Sequence, residues 1–93
     1  MTTIEPIRII REAVSVKNAD LICQSEELGH YYLQHYDTVI LVVRSREVTE
    51  IKPCSHSSIR AINQALSYIG INATCKDIVK DFTSKGLTID KSY

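Results

Sequence analysis

The sequence has no tryptophan, one methionine, one phenylalanine, two prolines and three glycines. The glycines, at 29, 70 and 86, are too scattered to form a phosphate-cradling loop. With so little proline and glycine, and no repeat or low-complexity tract, nothing reads as a linker, and the expectation is a single domain over residues 1–93. Charge of one sign is also lacking: eleven Lys and Arg balance eleven Asp and Glu. The chain as a whole therefore has no pull on nucleic acid or an anionic membrane. Its longest apolar run, Val39 to Val43, is far short of the roughly 20 residues that span a bilayer. The first residues, Met1-Thr2-Thr3-Ile4-Glu5-Pro6, lack the charged and apolar regions of a secretory signal. These features predict a soluble, cytoplasmic protein without a membrane partner. Cys23, Cys54 and Cys75 are odd in number and form no CxxC pair, so no disulfide framework is expected and the thiols should pack as small hydrophobes.

What is present is ordinary globular composition, 44% hydrophobic and 24% charged. Residues 7–16 are ambiguous: Ile7, Ile10 and Val14 suit a helix face, while Val14 and Val16 around a serine suit a strand, which is the reading favoured here. Leu21-Ile22-Cys23 reads as a short strand, followed by polar turn residues Gln24 to Glu27. The run His30 to Tyr36, rich in aromatics, predicts a further strand of the same sheet, and so does β-branched Val39 to Val43, after a turn at Asp37-Thr38. Arg44 to Glu47 should turn the chain into Val48-Thr49-Glu50-Ile51. This is a meander of antiparallel strands. Because Val39 to Val43 is apolar throughout, both its faces want cover, from the N-terminal segment or from a second molecule in a homodimer.

From residue 55 the period changes. Ile59, Ile62, Leu66 and Ile69 form one helical stripe, with Ser55 or Ser57 as N-cap and Gly70 as terminator. A second helix is predicted from Thr74 to near Gly86, with Cys75, Ile78, Val79 and Phe82 inward, and Leu87-Thr88-Ile89 as a last strand or packed tail. The fold class is thus α+β: an antiparallel β-meander of four to five strands packed against two C-terminal α-helices.

Chemistry-bearing residues are present, each with a plainer role available to it. His30 and His35 are an odd number of residues apart on one strand, so they should lie on opposite faces and share no metal. Cys54-Ser55-His56 is a Cys-x-His, which for zinc would need further ligands, and for thiol catalysis an orienting group and an oxyanion loop that the sequence does not offer. No catalytic, metal or cofactor residue is assigned. The helix start Ser55 to Arg60 suits an anion, or its serines simply cap the helix. The two helices around Ile69-Gly70-Ile71 loosely match a helix-turn-helix, but Lys76-Asp77-Ile78-Val79-Lys80-Asp81 mixes charges and suits a phosphate backbone poorly. A nucleic-acid-binding regulator is the alternative to a protein-binding module, and direct nucleic-acid contact is not the expectation.

Tyrosine and arginine are favoured at protein interfaces. Tyr32, Tyr36, Arg44, Arg46 and Arg60 are accordingly the candidate partner contacts. The runs Tyr36-Asp37-Thr38-Val39-Ile40 and Ser55-His56-Ser57-Ser58-Ile59-Arg60-Ala61-Ile62-Asn63 resemble a pattern in small phage and mobile-element accessory proteins. In those, a Tyr-x-Thr strand precedes a Ser-x-Thr-Thr-Ser-Arg-His-Ile-Asn helix start. Ser57 and Ser58 stand for the threonines, Arg60, Ile62 and Asn63 match, and Ile59 and Ala61 depart from the pattern. The resemblance implies a non-enzymatic inhibitor of the anti-CRISPR type that binds a host protein or protein-RNA complex stoichiometrically.

Overall fold

The computed structural model describes residues 7–53 and 55–84. Five strands, β1 (Arg8–Ile10), β2 (Ala19–Ser25), β3 (His30–His35), β4 (Thr38–Arg44) and β5 (Glu47–Ile51), are followed by α1 (His56–Ile69) and α2 (Cys75–Ser84). The strands pair in sequence order, all antiparallel. The α+β meander expected from the sequence is what the chain forms.

Several boundaries differ from the sequence reading. Residues 7–16 are not one strand: only Arg8–Ile10 pairs, and the chain then turns at 11–13. Val14 and Val16 are nonetheless buried, because the loop folds under α1 and is clasped there by Gln64. The Gln64 side chain accepts from Ser15 N at 2.9 Å and donates to Ser15 Oγ at 2.8 Å. The turn expected at Asp37-Thr38 lies at Tyr36-Asp37, since Thr38 already pairs with His35. That after β4 is confined to Ser45-Arg46. Helix α2 is described to Ser84, so the predicted stop at Gly86 and the segment Leu87-Thr88-Ile89 lie outside the described residues.

The all-apolar β4 is explained by a register shift. Leu33 pairs with Leu41 and Gln34 with Val39, which leaves Ile40 as an extra residue opposite β3. A bulge of this kind breaks the strict alternation of a strand. Ile40, Leu41 and Val43 are all buried as a result, whereas Val42 is half-buried and Val39 remains 37% exposed.

Both helices lie on one side of the sheet. Leu21, Leu33, Leu41 and Val43 pack there against Ala61, Ile62, Ala65 and Leu66 of α1 and Ile78 of α2. Serine starts α1 because its short side chain can take an orphan amide: Ser55 Oγ accepts from Ser58 N at 3.2 Å. Ser55, not Ser57, is the cap. Gly70 ends the helix with φ +95, and the amides of Gly70 and Ile71 both return to Leu66 O. A reciprocal cap opens α2, where Asp77 Oδ2 accepts from Thr74 N at 3.1 Å and Thr74 Oγ1 accepts from Asp77 N at 3.3 Å. Thr74 N, together with Thr74 Oγ1 donating to the same Oδ2 at 3.0 Å, holds the Asp77 carboxyl below its ordinary range.

Candidate docking surface

The helix-start motif is occupied largely by structural work. Ser55 caps α1, and Ser58, 1% exposed, bonds His35 Nδ1 at 2.9 Å and lies 3.1 Å from Ser55 Oγ. A serine beside an imidazole invites comparison with a nucleophile and its base. This hydroxyl is enclosed in the core, however, and fastens the start of α1 to the end of β3. Ile62 is a core residue, and Asn63 Oδ1 accepts from Cys75 N at 2.7 Å, capping the second helix from the first. The anion-friendly reading of Ser55 to Arg60 therefore loses Ser55 and Ser58 to internal bonds. Of the matched residues Arg60 and Asn63 are exposed, and Asn63 is engaged by Cys75 N. Arg60 borders an open groove of about 510 Å³ with Glu12, Tyr68 and Ser67.

Each remaining candidate has its own place. His30 and His35 do take opposite faces, His35 buried under α1 and His30 accepting from Ser45 N at 3.1 Å through Nδ1. Cys54 lies outside the described residues, and His56 is an exposed first residue of α1. Among the described residues no three His, Cys, Asp or Glu side chains gather into a metal site. No helix among them is long and apolar enough to cross a membrane. On α2, Lys76 and Lys80 are exposed next to Asp77 and Asp81, so the mixed charge noted in the sequence also holds on the folded surface.

The five candidate contacts are not brought together. Tyr32 is half-buried at the centre of the sheet face away from the helices, and Arg44 is exposed on that face, two positions along β4 from Tyr32's partner Val42. Tyr36 stands at the opposite end of the strands from Arg46, and Arg60 belongs to the helix layer. The two hairpin tips share a conformational peculiarity. Tyr36 has φ +57, and Ser45 and Arg46 have φ +53 and +60. Two successive positive values are the I′ hairpin geometry that normally selects Asn-Gly. Left-handed backbone costs a side-chain-bearing residue about 1–2 kcal/mol. Arg46 recovers part of that cost by packing on Gly29, where an added Cβ would come within 2.5 Å of Arg46 Cγ, and by donating its amide to Gly29 O at 3.0 Å. Tyr36 donates its amide to Asn18 O, accepts at its carbonyl from the Gln34 side chain, and tilts against the His35 ring at 4.7 Å, yet its side chain stays 66% exposed.

The surface that the sequence reading missed is the open face itself. Cross-strand register aligns Ile9 with Ile22, Ile22 with Tyr32, Tyr32 with Val42 and Val42 with Glu50. Four apolar residues thus form a row across β1 to β4, perpendicular to the strands and ending on a carboxylate. Ile22 is buried but does not belong to the core cluster, because its cover comes from its neighbours in this row. Ile9 is 45% exposed. Polar rows flank it, His30, Arg44 and Glu47 on one side and Asp20 and Gln34 on the other. Only the pairing register reveals this alignment. Each of the four residues sits in a different strand, and one-dimensional pattern says nothing about which residues face each other.

The helix side of the same sheet carries the perturbed groups. Glu26 meets Arg8 at 2.8 Å and raises its pKa, and burial pushes the Tyr31 phenol up, with the thiol of Cys23 and the carboxylate of Glu26 adding to the effect. No family model, curated protein or solved structure matches this chain.

Proposed function

We propose that the protein is a non-catalytic binding module that docks a protein partner on the open face of its sheet. The carrying observation is the row Ile9, Ile22, Tyr32 and Val42 on a face that no helix of the described residues covers, while two helices cover the other. An apolar centre with aromatic character inside a polar, charged rim is the anatomy of a recognition patch. Tyr32 supplies the large amphipathic contact, and Arg44 with Glu47 supplies charges at the rim, where they steer and orient more than they hold. The resemblance of the helix start to phage accessory proteins extends this proposal to the target: a host protein or protein-RNA complex of a defence system, inhibited by stoichiometric occlusion.

The test is affinity capture with the tagged full chain, identification of the captured protein, and titration calorimetry of variants against it. Tyr32→Ala combined with Arg44→Ala is expected to weaken binding at least tenfold, and Arg60→Ala, in the helix layer, to leave it unchanged. Equal affinity for all variants would sink the assignment of the face. Loss on Arg60→Ala alone would move the site to the groove along α1.

A further inference from the structure

The sheet has two lateral edges, and they are built differently. Along β5 the side chains of Glu47, Thr49 and Glu50 are exposed, the register shifts between Val42 and Val43, and α2 packs beside the strand. Charges, a bulge and a flanking helix are the devices that keep an edge from pairing with another chain. Among the described residues β1 has neither a bulge nor a flanking helix, and it carries a single charge. It pairs with β2 in an unbroken register, Arg8 with Cys23, Ile9 with Ile22 and Ile10 with Leu21, and β2 is its only lateral neighbour among the described strands. Ile7 and Ile9 are 64% and 45% exposed. Its one charge, Arg8, is already neutralised by Glu26 of the same chain at 2.8 Å.

We propose that this edge pairs with the same edge of a second copy of the chain, antiparallel about a two-fold axis, so that the sheet continues from one protomer into the next. A second copy fits because an isologous contact needs a self-complementary strand. A register centred on Ile9 provides one: Ile9 of each copy faces Ile9 of the other, and Arg8 faces Ile10, so no like charges oppose each other. The net charge of +0 adds no long-range repulsion. Such a pairing sets the two apolar rows end to end at Ile9 and leaves Ile22, Tyr32 and Val42 uncovered, so it shares one residue with the docking face proposed above but does not require that role. Size fixes its strength. A strand this short, Arg8–Ile10, buries well under the roughly 800 Å² per partner of a standard interface, so the dimer is weak and concentration-dependent.

Sedimentation equilibrium of the full chain from micromolar to millimolar concentration tests this. The expected result is a mass rising from 10.5 kDa toward twice that value. Backbone amides of residues 7–10 should gain protection from hydrogen exchange over the same range. Ile9→Lys, with its fold checked by circular dichroism, should weaken association at least tenfold, and Tyr32→Ala should leave it unchanged. If Ile9→Lys does not fold, the exchange pattern of the unmodified chain decides. A constant 10.5 kDa at every concentration overturns the proposal. So does association that a folded Ile9→Lys keeps, that Tyr32→Ala abolishes, or that leaves the amides of 7–10 unprotected.

Discussion

The same strands make two unlike faces. In β3 the side chains of Tyr31, Leu33 and His35 turn toward the helices, while those of His30, Tyr32 and Gln34 turn away. The inner set meets α1, is buried, and its one imidazole is hydrogen-bonded to Ser58. The outer set is half-buried and meets cross-strand neighbours and the hairpin tips, His30 accepting from Ser45 N and Gln34 donating to Tyr36 O, but no helix. Stability is therefore concentrated on one side of a single layer, which leaves the other side free to change without loss of the fold. That division is what a binding scaffold requires, since contact residues should be replaceable at little cost to folding.

The sharpest way to break the comparison is to truncate one residue from each face. Leu33 is fully buried, and Leu33→Ala should cost about 2–5 kcal/mol through lost transfer energy and a residual cavity. Tyr32→Ala, next to it in β3, removes cross-strand pairs worth about 0.2–1 kcal/mol each. Urea denaturation of the two variants measures the difference, and equal losses would mean that the outer face is covered after all.

A smaller effect probes how the inner face holds its polar atoms. Ser58→Ala deprives the buried His35 ring of its 2.9 Å partner and should destabilise by about 1–3 kcal/mol, the cost of an enclosed polar group left unpaired. A near-neutral result would show that the hydroxyl does not fasten α1 to β3.

The smallest expected change has the opposite sign and concerns a residue that neither face owns. Tyr36 takes φ +57 at an exposed hairpin tip. Tyr36→Gly removes a left-handed cost of about 1–2 kcal/mol and adds back about 0.5–1 kcal/mol of glycine's conformational freedom, so a gain of up to about 1 kcal/mol is expected. A raised denaturation midpoint would mark Tyr36 as a side chain that folding alone does not favour. A lowered one would show that its ring stabilises the fold through His35.

How much was legible in advance differs by element. α1 was readable because Ile62, Leu66 and Ile69 repeat at helical spacing between a serine and a glycine, all local signals. β4 was readable from its β-branched residues, but its bulge was not, since nothing in Val39 to Val43 says that Ile40 has no partner in β3. The N-terminal segment was misread because Val14 and Val16 are apolar for the sake of α1, a contact far along the chain, and not because they alternate in a strand. Of the candidate contacts, Tyr32 and Arg44 share the open face, while Tyr36, Arg46 and Arg60 are elsewhere. Amino-acid type marked them as interface-prone without telling where the fold would send them.

The order of the described elements, the α+β class, both ends of α1, the start of α2 and the balance of charge follow from the chain alone, because propensity, capping and periodicity act over a few residues. Only the folded arrangement shows that Ile9, Ile22, Tyr32 and Val42 stand in one row, that Ser58 and Asn63 are fasteners, and that β1 is an edge strand among the described strands. Those facts depend on strand register and on which face the helices cover, and both are set by contacts between residues distant in the chain.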